Sequence, residues 1–108
     1  MVIVLVTTWF PIEKASEAGN IFIEASKKFP NDRSLSKQLL NNAVATTKEG
    51  YKTVTASEIK EGKLKDYLAR LNKFVIFVAK GLEGYKCQIE VMSSVIEAMD
   101  VLGLEVPE

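Results

Sequence analysis

The chain opens with Met1-Val2-Ile3-Val4-Leu5-Val6-Thr7-Thr8, and this run decides the architecture. Its β-branched residues favour an extended backbone. Side chains alternate across a strand, so Val2, Val4 and Val6 share one face while Ile3 and Leu5 share the other. Both faces are apolar, so both must be covered. The run is too short to span a bilayer. It has no basic leader, and Pro11 and Glu13-Lys14 cut it off early, so it reads as a buried strand rather than a signal peptide.

Working outward, Pro11 suits a first helical position and Glu13 suits the first turn of a helix. Ile12, Ala15, Ala18, Phe22, Ala25 and Phe29 recur at helical spacing, and Pro30-Asn31-Asp32 ends the helix. Gly19 weakens it, and close approach to the sheet is the reason expected for its presence. Arg33 to Gln38 reads as a polar connection. Leu39 to Thr47 reads as a second strand, weakened by Asn41-Asn42. Lys48-Glu49-Gly50 makes a hairpin turn, and Tyr51 to Ser57 returns as the third strand.

Leu64, Tyr67, Leu68, Leu71, Val75, Val78 and Leu82 form one stripe of a second helix. Within it, Phe74 to Val78 looks like a strand when taken alone. The helical period running through it from Leu64 favours helix. Tyr85, Cys87, Ile89 and Val91 alternate with Lys86, Gln88 and Glu90 in a last strand, and Ser94 to Leu102 reads as a short helix capped by Ser93 or Ser94.

The order β-α-β-β-α-β plus a tail helix predicts an α+β ferredoxin-like fold. Its antiparallel sheet carries both helices on one face, in a single domain spanning residues 1–108. The first strand is expected at the centre. Helices cover only one side, so an apolar sheet face of several hundred Å2 would be left open. A second copy packed on that face resolves the conflict, and a two-fold homodimer is the commonest such assembly.

Here the sequence resembles the dimeric α/β-barrel group, in which two ferredoxin-like sheets face each other. More narrowly, Thr7-Thr8-Trp9-Phe10-Pro11, Lys28-Phe29-Pro30-Asn31-Asp32-Arg33-Ser34-Leu35 and Glu97-Ala98-Met99 with Leu102-Gly103-Leu104-Glu105 resemble a small family of uncharacterised microbial proteins. The wider group includes cofactor-free monooxygenases, lactone isomerases, haem-handling enzymes and ligand-binding regulators. The resemblance implies an architecture and a pocket, not a chemistry.

Composition narrows the functions. Lys+Arg and Asp+Glu number 14 each, so no charge excess draws a nucleic acid onto the protein. Histidine is absent, which removes the commonest general base and metal ligand. Cys87 is the single cysteine, so no intrachain disulfide forms; this fits a cytoplasmic protein. Its alternation places it as an inert, buried thiol. Neither a resident metal nor a cofactor is expected, and Glu97 with Asp100 is a very weak metal pair. Arg70 and Arg33 are the only arginines. Either suits a carboxylate clamp, but Arg70 falls on the solvated helix face.

The candidate ligand-binding residues are Trp9, Tyr51, Thr53, Thr55 and Tyr67. Trp9 ends the first strand and would wall a pocket for a small apolar or planar ligand. Tyr51, Thr53 and Thr55 share one strand face and supply polar handles, and Tyr67 joins from the second helix. Each also has a plain structural explanation in core packing or β propensity. The function expected is a cytoplasmic homodimer or higher oligomer that binds a small molecule or serves in assembly, without catalysis. The alternative is a cofactor-free, monooxygenase- or isomerase-like enzyme with its pocket between sheet and helices.

Overall fold

A computed structural model of the protein describes residues 1–105. The last three residues of the single domain expected from sequence lie outside the described residues. The elements are β1 (Val2–Phe10), a short 3-10 turn (Ile12–Lys14), α1 (Ala15–Lys28), β2 (Ser36–Thr47), β3 (Gly50–Ile59), α2 (Leu64–Gly81), β4 (Lys86–Ser93) and α3 (Val95–Val101). This is the ferredoxin-like βαββαβ order with a C-terminal helix. The strands form one antiparallel sheet in the order β2-β3-β1-β4. β1 is central, as its two apolar faces require.

The second strand starts at Ser36, earlier than the sequence suggests. Ser36 to Gln38 pair with Ile59 to Ser57, so this polar stretch is strand rather than connection. Polarity misled here because β2 is an edge strand, exposed along nearly its whole length. Phe74 to Val78 is helical, within α2. Ser94 caps α3 by accepting a hydrogen bond from the Glu97 amide at 3.2 Å.

The register settles which face the helices cover. Val4 and Val6 pack with Ile59 against Leu64, Tyr67, Leu68 and Leu71 of α2. Phe10 packs with Ala18, Ala25, Val78 and Leu82, and Phe22, Tyr51, Phe74 and Tyr85 close around them. Val4, Ala25 and Val78 are wholly buried. Residues of even number on β1 therefore face the helices, and Ile3, Leu5, Thr7 and Trp9 face away. Pairing places Lys52, Val54, Ala56 and Glu58 of β3 on that outer face beside them. Lys86, Gln88, Glu90 and Met92 of β4 flank the other side.

Gly19 does not approach the sheet. Open space surrounds the position its Cβ would occupy, and its neighbour Ala18 makes the close contact instead. The tight helix crossing lies at Gly81, where a Cβ would strike the Ile21 side chain. Gly50 has φ +119, and a Cβ there would collide with the Phe10 carbonyl. That is why the hairpin turn ends on glycine.

Candidate functional site

A cleft of about 390 Å3 opens between the helix-covered face of the sheet and the two long helices. Val6, Phe22, Phe29, Leu71, Phe74 and Val75 supply its apolar wall. Hydroxyls and amides gather along the β2–β3 side, from Thr8, Ser36, Gln38, Asn41, Asn42, Thr53 and Thr55. The volume is within the usual range for small-molecule sites, as is the mixture of apolar wall and few polar groups.

The polar side is built by a strand irregularity. Register shifts between Gln38 and Leu40 and between Leu40 and Ala43 bulge β2 outward. Asn42 lies at φ +46, a left-handed conformation that asparagine tolerates better than most residues. Its amide N–H donates to Thr55 Oγ1 at 3.3 Å, and Thr55 Oγ1 donates to Asn42 Oδ1 at 2.9 Å. The Gln38 side-chain amide donates to Asn41 Oδ1 at 3.2 Å. Asn41-Asn42, which weaken the strand pattern in the sequence, thus form the rim of the cleft. Deeper in, the Thr8 and Thr53 hydroxyls hydrogen-bond directly across β1 and β3.

The loop after α1 forms the opposite rim. Asp32 Oδ1 accepts from the Ser34 amide at 2.9 Å and from Ser34 Oγ at 2.6 Å. Those bonds, with the more distant positive charges of Arg70 and Lys60, hold the exposed Asp32 carboxyl below its ordinary pKa. Arg70 reaches this loop from α2. Its Nε and Nη2 both donate to the Pro30 carbonyl, at 3.0 and 2.7 Å. Tyr85 also lines the cleft, and burial, reinforced by neighbouring Cys87, pushes its phenol well above the ordinary range. Cys87 is half-buried, and burial raises its thiol too.

The residues expected from sequence separate. Thr53, Thr55 and Tyr67 line the cleft. Tyr51 lies further along the same sheet face, its ring centroid 5.6 Å from that of Phe10. Trp9 lies on the outer face, opposite Lys52 and Lys86. It borders a second hollow, of about 570 Å3, with Pro11, Glu49 and Gly84 rather than the cleft. Because Trp9 and Thr8 are neighbours on one strand, their side chains must leave opposite sides of the sheet.

Arg70, Asn42 and Asp32 are the cleft residues that sequence periodicity does not isolate. Arg70 lies one residue from Leu71 and three from Tyr67, at the margin of the apolar stripe. A long stem at such a margin can turn inward, and Arg70 is half-buried. Glu97, by contrast, is engaged with Ser94 and with the chain's amino terminus. Among the described residues, no three His, Cys, Asp or Glu side chains converge to hold a metal ion.

No protein-family model matches the sequence, and no curated protein matches it. Solved structures share the fold. A dimeric ferredoxin-like protein from an uncultured marine organism is 18% identical, with a TM-score of 0.57 over 87% of this chain and 94% of its own. An antibiotic biosynthesis monooxygenase is 15% identical, with a TM-score of 0.56 over 88% of this chain and 99% of its own. A de novo designed protein, Foldit4, is 8% identical, with a TM-score of 0.53 over 86% of this chain and 96% of its own. The ferredoxin-like fold is thus shared with proteins of the dimeric α/β-barrel kind. A designed chain adopts it as well, so the fold alone assigns no activity.

Proposed function

We propose that this protein is a homodimer, paired through its outer sheet faces, that binds a small apolar or planar molecule in the cleft between sheet and helices without transforming it. The cleft itself carries this reading: an aromatic wall faces a row of hydroxyls and amides held in place by a bulged strand. Tyr85 stays protonated and Asp32 stays ionised across the neutral range. Neither is poised near pH 7, as a general acid or base should be. No helix among the described residues is long and apolar enough to cross a membrane. The single cysteine, Cys87, fits a reducing compartment, and the cytoplasm is the one we assign.

The dimer is supported by the outer face. Ile3, Leu5, Val54, Ala56 and Met92 form its apolar middle by register. Lys52 and Lys86 flank Trp9 at one end, while Glu58 and Glu90 stand opposite Ile3 and Leu5 toward the other. A second copy related by a two-fold axis can set the basic end of one sheet against the acidic end of the other. A solved neighbour of the same fold is described as dimeric, which supports pairing.

A second reading is a cofactor-free enzyme, favoured by the neighbour named as a monooxygenase. Native mass spectrometry of gently purified protein separates the possibilities. A dimer with a retained, chemically unaltered small molecule is expected. Conversion of that molecule by the purified protein would establish the enzyme, and a bare monomer would refute both halves of the proposal.

A further inference from the structure

We propose that the molecule this cleft takes carries a carboxylate, and that Arg70 binds it. The inference rests on reading the cleft as a ligand site, and it names the chemical class of the ligand. Three observations carry it.

Arg70 is half-buried and lines the cleft beside Phe74 and Leu71. Its orientation is set by backbone, because Nε and Nη2 converge on the single Pro30 carbonyl oxygen. That arrangement uses one edge of the guanidinium. The end-on edge, formed by Nη1 and the outer hydrogen of Nη2, keeps its donors, and that fork matches the two oxygens of a carboxylate.

Arg70 also has no carboxylate partner within 4 Å among the described residues. Asp32 is the acid that shares the cleft rim, but its Oδ1 is turned to Ser34. A neutral ligand filling the apolar part would strip water from this cation and return nothing, whereas a ligand carboxylate would neutralise it. Finally, the wall beside Arg70 is aromatic, with Phe22, Phe29 and Phe74. The class implied is an amphipathic acid: a flat or compact apolar body with one ionised carboxyl.

Isothermal titration of the intact protein at pH 7 with 2-naphthoate and 2-naphthamide tests this. The two probes share a ring and nearly a shape, and differ in charge. The wild type is expected to bind naphthoate about tenfold or more tightly than the amide. Arg70→Gln should erase that preference, read as the ratio of naphthoate to amide affinity in each protein, and Arg70→Lys should restore part of it. Equal wild-type affinity for the two probes would overturn the charge assignment and leave the ligand site standing. So would a preference for naphthoate that survives in Arg70→Gln. If neither probe binds the wild type, the ligand-site reading falls, and this inference falls with it. The wild-type comparison decides the question even if a variant folds poorly.

Discussion

Arg70, on the second helix, is tied to Pro30, at the end of the first, by two hydrogen bonds to one carbonyl oxygen. The two residues are 40 positions apart in the chain. The contact closes one end of the cleft and holds the Pro30 to Ser34 loop against α2. Arg70→Met keeps most of the apolar stem and removes the donors. Because Arg70 is part exposed, the loss should be modest, about 1 kcal/mol in urea unfolding. Amide exchange at residues 31–34 should speed up while exchange in β1 stays slow. Uniform exchange changes, or none, would show that the contact does not hold the loop.

The carboxyl of Asp32 gives a pH-dependent test of the same loop. Its folded pKa is lowered from the ordinary 3.8, first by Ser34 Oγ and then by the Ser34 amide. A lowered carboxylate pKa adds stability that is full above the unfolded value and is lost as pH falls through the lower folded one. Ser34→Ala removes the larger cause. Carboxyl chemical-shift titration should then find Asp32 titrating closer to 3.8, with the acid end of the stability profile moving up in pH. An unchanged Asp32 midpoint in Ser34→Ala would assign the shift to the surrounding charges instead.

Much of this fold was legible from particular residues. Val2 to Thr8 pointed to an inner strand, and β1 is one of the two inner strands of the sheet, beside β3. Helical spacing from Leu64 through Leu82 overrode the strand-like look of Phe74 to Val78, since α2 must bury a continuous stripe. The site was harder to read. Thr53 and Thr55 could be placed on a shared face by alternation alone, but no local pattern shows that Trp9 faces away from them. That depends on the β1–β3 register, which pairs Trp9 with Lys52 and Thr8 with Thr53. The bulge at Asn41-Asn42 looked like a strand weakness, because its value comes from contacts with Thr55 on another strand. Arg70 looked solvated because periodicity follows Cβ directions, not where a long stem ends.

Trp9 is the only tryptophan, so fluorescence reports one place on the outer face. If a second copy covers that face, dilution through dimer dissociation should shift Trp9 emission to longer wavelength. A non-absorbing acid in the cleft, such as cyclohexanecarboxylate, should leave the emission unmoved because the sheet lies between. Quenching by that acid, with no response to dilution, would instead place the ligand on the Trp9 side.

The sheet-faced dimer is tested most directly by sedimentation equilibrium of the wild type beside two lysine variants. Val4 is wholly buried against the helices, so Val4→Lys puts an unpaired charge in the core and should not fold. Leu5, its neighbour, belongs to the outer face. Leu5→Lys should therefore keep the wild-type circular dichroism spectrum and sediment as a 12.0 kDa monomer, while the wild type sediments at about twice that mass. A monomeric wild type, or a Leu5→Lys variant that remains a dimer, would contradict the account.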